Sequence, residues 1–213
     1  MRDSPALPST LNGVLCCAIT DRSLFPGDES QKRSGLVAQA ARWAAEGINL
    51  IQLREKDLGP LELGDIAKLM LEAIAAHPAT RLLINGSLRA AIESQAHGVH
   101  LPANSSILPA EVRRRYAVHS LPSPIVTVSC HSLAEIHIAQ RNDADAILFA
   151  PVFGKTVEGQ KVTPATGIEA LRAACAAATP IPVYALGGVT EENAPLCIQA
   201  GATGIAGIRL FHQ

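Results

Sequence analysis

"INLIQLREKD" (Ile48–Asp57) joins an apolar run to a cluster of charge. Ile48–Ile51 reads as buried strand. Gln52 and Leu53 follow, and then Arg54, Glu55, Lys56 and Asp57 arrive together. A strand of this kind leaves a core at a polar site. Continuous apolar character, in place of alternation, marks a strand covered on both faces, as in parallel sheets packed under helices.

Seven more runs of the same character flank it. With Asn49–Glu55, the predicted strands are Gly13–Asp21, Arg81–Gly86, Gly98–Leu101, Pro124–His131, Ala146–Phe153, Pro182–Gly188 and Gly204–Leu210. Helical patterns lie between them. Ser34–Gly47 carries Leu36, Val37, Ala40, Ala41 and Ala44 on one stripe and stops at a glycine. Pro60–His77 begins with proline in its first turn. Ser132–Asn142 opens on a serine cap with Glu135 placed for a capping box. Thr190–Gly201 opens on threonine and ends at glycine. Alternating β and α units with eight strands predict a (β/α)₈ TIM barrel in one domain, 1–213. An open doubly wound sheet is the alternative, but no GxGxxG follows the first strand. Only Phe211, His212 and Gln213 follow the last strand, so the eighth helix is missing. The N-terminal segment, expected to be flexible over 1–12, or a neighbouring subunit in a homo-oligomer would cover that gap.

Composition fits this fold. Hydrophobic residues make up 48% of the 213 and aromatics 3%, so the core is built of Ala, Leu, Ile and Val. The net charge of −1 and the lack of any basic run argue against nucleic acid as a partner. No apolar leader and no spanning stretch appear, so a cytoplasmic protein without membrane contact is expected. Cys16, Cys17, Cys130, Cys175 and Cys197 form no CxxC pair and read as buried thiols. The histidines show no zinc spacing, so no metal and no cofactor are expected.

In such a barrel the active site lies at the C-terminal strand ends. Those ends are polar here: Thr20 and Asp21, Arg54 to Lys56, Asn85, His100, Ser129 and His131, Lys155 and Lys161, Gly187 and Gly188, and Arg209. The charged motif becomes one wall of a cationic cup suited to a phosphorylated small molecule. Two glycines after the seventh strand, with the turn after the eighth, offer backbone N–H groups to the phosphate. Other readings stand beside these. Gly187 and Gly188 would serve a tight turn, Arg54 and Lys56 a solvated strand end paired with Glu55 and Asp57, and Asn85 a helix cap. His131 would be a residue at the start of a helix. For His100 the structural reading is preferred.

The motifs "AITD", "QLREK", "GVHL", "SCHSLAE", "DADAILFAPVF", "ALGGVTEEN" and "AGATGIAGI" resemble the thiamine phosphate synthase/TenI superfamily, in order, from about Ala18 to Ile208. The resemblance implies a (β/α)₈ barrel acting in thiamine biosynthesis. The synthase joins a pyrimidine diphosphate to a thiazole phosphate and holds magnesium with two aspartates. At the matching positions this chain has Gly86 in "ING" and Ser105 in "HLPANS". "FGKTVEG" also departs from the synthase's "TxTK" loop, whereas "QLREK" keeps the synthase form. The TenI branch, thiazole tautomerases, resembles the chain at "NG", "LP" and "HS". It implies His131 as the acid/base, since imidazole takes and returns a proton near neutral pH. The expectation is a tautomerase acting on a thiazole phosphate. Gly187, Gly188, Ile208 and Arg209 would hold the phosphate. Gln52, Arg54, Lys56, Asn85, Ser129 and Lys155 would line the pocket. A synthase is the enzymatic alternative, and a non-catalytic binding homologue the other.

Overall fold

The structure, a computed structural model, describes residues 13–157 and 160–212, with the side chains of 155–163 outside the description. Among the described residues, ten strands and seven α-helices follow in order. These are β1 (Leu15–Ile19), α1 (Glu29–Ala45), β2 (Leu50–Leu53), α2 (Pro60–Ile74), β3 (Arg81–Asn85), α3 (Leu88–Ser94), β4 (Gly98–Leu101), α4 (Pro109–Val118) and β5 (Ile125–Cys130). Then come α5 (Leu133–Arg141), β6 (Ala146–Phe149), β7 (Lys155–Val157), β8 (Gln160–Thr163), α6 (Ile168–Ala178), β9 (Val183–Ala185), α7 (Ala194–Gln199) and β10 (Gly204–Gly207).

Eight strands close into a barrel in the order β1-β10-β9-β6-β5-β4-β3-β2, and every ladder is parallel. This is the expected (β/α)₈ barrel. β9 and β10 are the seventh and eighth predicted strands. β7 and β8 form an antiparallel hairpin that was not expected.

Side chains alternate between two cores. Cys16, Ala18, Ile51, Leu53, Leu82, Ile84, Ile147 and Phe149 pack outward under the helices. Cys17, Ile19, Leu50, Leu83, Ala146, Leu148, Tyr184 and Ala206 fill the barrel interior. Strands such as β3 and β6 are apolar on both faces, which explains their unbroken runs in the sequence, while Gln52 on β2, His100 on β4 and Thr127 on β5 are buried polar residues.

Several boundaries differ from expectation. β6 stops at Phe149 because Pro151 has no N–H for the ladder. Val152 and Phe153 still donate to the carbonyls of Leu186 and Gly187, at 2.9 and 2.8 Å. α1 begins at Glu29, ahead of Ser34, because Asp28 and Gln31 form a reciprocal capping box. Its buried face holds Gln39 and Trp43 with Leu36, Ala40 and Ala44, while Val37 and Ala41 are half-buried. Ser132 caps α5 as expected, yet Glu135 turns its carboxylate to the N–H of His131, so the capping box is half made. α7 starts at Ala194, since Thr190 and Asn193 close a turn on each other before it.

Among the described residues no α-helix follows β10. A 3-10 turn, Arg209–Phe211, ends against α1. Trp43 Nε1 donates to the Phe211 carbonyl at 2.7 Å, and Gln39 Nε2 at 3.3 Å. Gln39 Oε1 meets His212 Nδ1 at 2.8 Å, and the Phe25 ring stands edge-on to His212. The segment 1–12, one of the expected covers, lies outside the described residues. The five cysteines are free, Cys175 half-buried and the others buried. Among the described residues no helix is long and apolar enough to cross a membrane.

Candidate active site

Asp21, Arg54, Lys56, Gly187, Gly188, Ile208 and Arg209 line two cavities at the C-terminal ends of the barrel strands, while Gln52, Asn85, Ser129 and His131 line neither. Both cavities are open and share Asp21. The first, of about 520 Å³, is lined by Pro151, Phe153, Gly187, Gly188, Ile208 and Arg209 among others. Gly187 and Gly188 adopt φ of 95° and 65°. A Cβ on Gly187 would stand 2.7 Å from Pro151 Cα, and one on Gly188 2.8 Å from Phe153 Cβ. Both glycines are therefore required by backbone shape and close packing. The N–H groups of Gly187 and Gly188 in that turn, and of Ile208 just after β10, have no backbone partner among the described residues. Gly188 is fixed from its other side, where its carbonyl accepts from Asn193 Nδ2 at 3.0 Å. The exposed Arg209 adds a guanidinium to the same cavity.

The second cavity, of about 420 Å³, lies between the ends of β1 and β2 and is lined by Arg22, Lys32, Arg54, Glu55, Lys56 and Asp57 among others. The expected alternative, Arg54 and Lys56 paired with Glu55 and Asp57, is not what forms. Both acids bind Arg22 instead, a residue that sequence reasoning missed. Arg22 Nη1 donates to Glu55 at 3.1 Å and to Asp57 at 2.8 Å. The hydrogen bonds from Arg22 hold the Asp57 carboxyl down to about 2. Among the described residues Arg54 and Lys56 make no salt bridge.

Deeper in the barrel, Gln52 is buried and its Nε2 has no partner among the described residues. Such an orphaned donor is costly unless something meets it. His100, for which the sequence favours a structural reading, is buried. Its Nδ1 and Nε2 lie 2.8 Å from Thr127 Oγ1 and Ser129 Oγ. Burial, with the nearby Arg54 charge, pulls its pKa down to about 3, so the ring is neutral. Ser129 thereby sits above a buried histidine. Asn85 pairs in register with His100 at the end of β3 and does not cap α3, whose cap is Ser87.

His131 follows β5 and is exposed. Its Nδ1 lies 2.6 Å from the Ala150 carbonyl. A carbonyl only accepts, so in the neutral ring Nδ1 carries the proton and Nε2 keeps a free lone pair. Pro151, the next residue, lines the first cavity. The side chains of Lys155 and Lys161 lie outside those described.

The magnesium pattern fails on the residues present. Gly86 has no ligand atom in its side chain. Ser105 Oγ is tied to Ile107, accepting from its N–H and donating to its carbonyl, both at 3.1 Å. Among the described residues no three of His, Cys, Asp and Glu converge as a metal group. A hard dication prefers carboxylate and phosphate oxygens, so these residues do not fit it.

A closed parallel barrel with polar groups gathered at its C-terminal rim defines the class: a TIM-barrel protein of the kind that places its active site there. Residues 16–211 match the family described as thiamine monophosphate synthase (TMP-TENI), and the chain belongs to that family. It is 39% identical over 166 residues to a putative thiamine-phosphate synthase 2 of Aquifex aeolicus, covering 78% of this chain and 84% of that protein. It is 35% identical over 194 residues to the thiamine-phosphate synthase of Chlorobium luteolum, covering 90% and 82%. The structure of a thiamine phosphate pyrophosphorylase from Pyrococcus furiosus superposes with a TM-score of 0.73 at 25% identity, covering 92% of this chain and 86% of that one. These names favour the synthase alternative and lend nothing specific to the TenI branch.

Proposed function

We propose that the chain is an enzyme of thiamine biosynthesis that joins a thiazole phosphate to a pyrimidine diphosphate and releases pyrophosphate. The observation that carries this reading is the pair of adjoining cavities: one is lined by N–H groups that have no backbone partner among the described residues, and the other holds Arg54 and Lys56, which form no salt bridge among those residues. Two anionic substrates would need two such places. The thiazole phosphate would meet the N–H groups of Gly187, Gly188 and Ile208, with Arg209 beside them. The diphosphate would face Arg54 and Lys56. Gln52, Asn85 and Ser129 would offer hydrogen bonds to the pyrimidine, the orphaned Gln52 amide gaining its partner there. Lys155 belongs to the same expected set. Relatives named as synthases support this assignment.

The second reading, a thiazole tautomerase, is favoured by His131, whose ring is held at Nδ1 with Nε2 free. A proton shift needs one such group and no metal.

One experiment separates them. The purified protein is given both synthase substrates, with and without magnesium, and thiamine phosphate is measured. In parallel it is given the thiazole carboxylate phosphate, and isomerisation is followed. Thiamine phosphate in the first vessel is expected. Isomerisation alone would replace the synthase by the tautomerase, and ligand binding without turnover in either vessel would leave a binding homologue.

A further inference from the structure

Glu55 and Asp57 flank Lys56, and Glu55 follows Arg54 directly, so the two cations stand beside acids that would neutralise them. In the folded chain those acids turn to Arg22. We infer that Arg22 is a positioning residue: its guanidinium gathers Glu55 and Asp57 and so keeps Arg54 and Lys56 open to an anion. This rests on the reading that those cations meet a diphosphate.

The geometry uses the whole guanidinium. Nη1 donates to Glu55 Oε2 at 3.1 Å and Asp57 Oδ1 at 2.8 Å, and Nη2 donates to Asp57 Oδ2 at 2.5 Å. Nε donates to Glu29 at 3.0 Å, and the Arg22 backbone N–H reaches Glu55 Oε2 at 3.1 Å. Glu55 Oε1 accepts from Thr20 Oγ1 at 2.6 Å, and Thr20 Oγ1 accepts from the N–H of Arg54 at 2.8 Å. Thr20, Arg22 and Glu55 are buried. One chain of bonds therefore runs from Arg22 through Glu55 and Thr20 to the backbone of Arg54, fixing where that residue leaves the strand. A planar fork can hold two carboxylates at once, which a lysine ammonium on a flexible stem does poorly. Without Arg22, Glu55 and Asp57 would lose their salt-bridge partner and stand beside the two cations, while Glu29 would keep Lys32 at 3.7 Å.

Calorimetric titration with inorganic pyrophosphate tests this. Arg54→Ala should weaken binding about tenfold, the loss of one charged hydrogen bond. Arg22→Met should weaken it about as much, although the Arg22 guanidinium is engaged by carboxylates. Asp57→Asn placed in the Arg22→Met background should recover most of the loss, because the competing charge is gone. Arg22→Lys should fall between wild type and Arg22→Met, and it decides the matter if Arg22→Met does not fold. Wild-type affinity in Arg22→Lys and Arg22→Met, with Arg54→Ala impaired, would overturn the inference and leave the diphosphate reading intact. A loss in Arg22→Met that Asp57→Asn does not relieve would also overturn it, reducing Arg22 to a structural ion pair. Equal affinity in wild type and Arg54→Ala would remove the diphosphate reading itself.

Discussion

His100 shows how one residue's environment sets its chemistry. The ring is buried between Thr127 and Ser129, and its folded-state pKa of about 3 lies well below that of an exposed histidine. Between roughly pH 6.5 and 3 the unfolded chain therefore binds a proton that the folded chain refuses. Stability from this group is complete above that window and is lost as pH falls through it, by up to about 1.4 kcal/mol per unit. Urea unfolding measured from pH 7 to pH 4 should show this slope, and His100→Gln should flatten it; an unchanged slope would mean the ring charges in place. His131 calls for a different test. His131→Asn removes the free Nε2 while leaving the β9–β10 cavity untouched. Any isomerisation activity should fall by about 10²–10⁴-fold, whereas thiamine phosphate formation should keep most of its rate. Equal loss of both activities would mean that His131 serves the shape of the rim. The place of His131 was legible from sequence because it follows an apolar strand and precedes a serine cap, whereas its expected acid/base role came from the family resemblance. Arg22 was not, because its carboxylates lie 33 and 35 residues away in the chain and meet it only when β1 and β2 pair.

At the scale of elements, the strands were the easiest to read and the helix starts the hardest. Strands such as Leu82–Ile84 are apolar on both faces, so their identity needs no knowledge of partners. The β7–β8 hairpin is largely polar in sequence and gives no apolar pattern to recognise. α1 was begun too late because the apolar stripe starts at Leu36, while the first turn is held by polar reciprocity at Asp28 and Gln31. That cap is exposed and local. Asp28→Ala should lower stability by about 1 kcal/mol, read as a lower urea midpoint with unchanged slope. No change in the midpoint would show that tertiary packing of Leu36, Ala40 and Trp43 holds the first turn unaided. The apolar stripe read from sequence does not include Gln39 and Trp43, which are buried. Their partner is the Phe211 carbonyl at the far end of the chain, which no local periodicity reports.

For the whole molecule, the proposed synthase activity raises the question of how this chain would hold a diphosphate, since it has Gly86 and Ser105 where the family resemblance leads one to expect two aspartates. Cations answer part of it, since Arg54 and Lys56 are unpaired among the described residues. Magnesium should therefore add little to pyrophosphate binding by the wild-type protein, because an amide at Asn85 and a hydroxyl already tied to Ile107 offer no carboxylate to a hard dication. The missing ligands can be put back. At Gly86 the nearest atom to an added Cβ would be Pro102 Cδ at 4.0 Å, so the space is open. The φ of 70° there is strained for most residues, and aspartate is among the few that tolerate it. At Ser105 an aspartate oxygen can still accept from the Ile107 N–H, keeping the turn. Gly86→Asp with Ser105→Asp should fold, lose at most about 1–2 kcal/mol of stability, and acquire magnesium-dependent pyrophosphate binding in calorimetric titration. Strong magnesium dependence in the wild type would instead mean that other residues supply the carboxylates. A double variant that folds but gains no magnesium dependence would mean that the two rim positions no longer face a common ligand, and that this barrel has moved its diphosphate wholly onto the β1–β2 side.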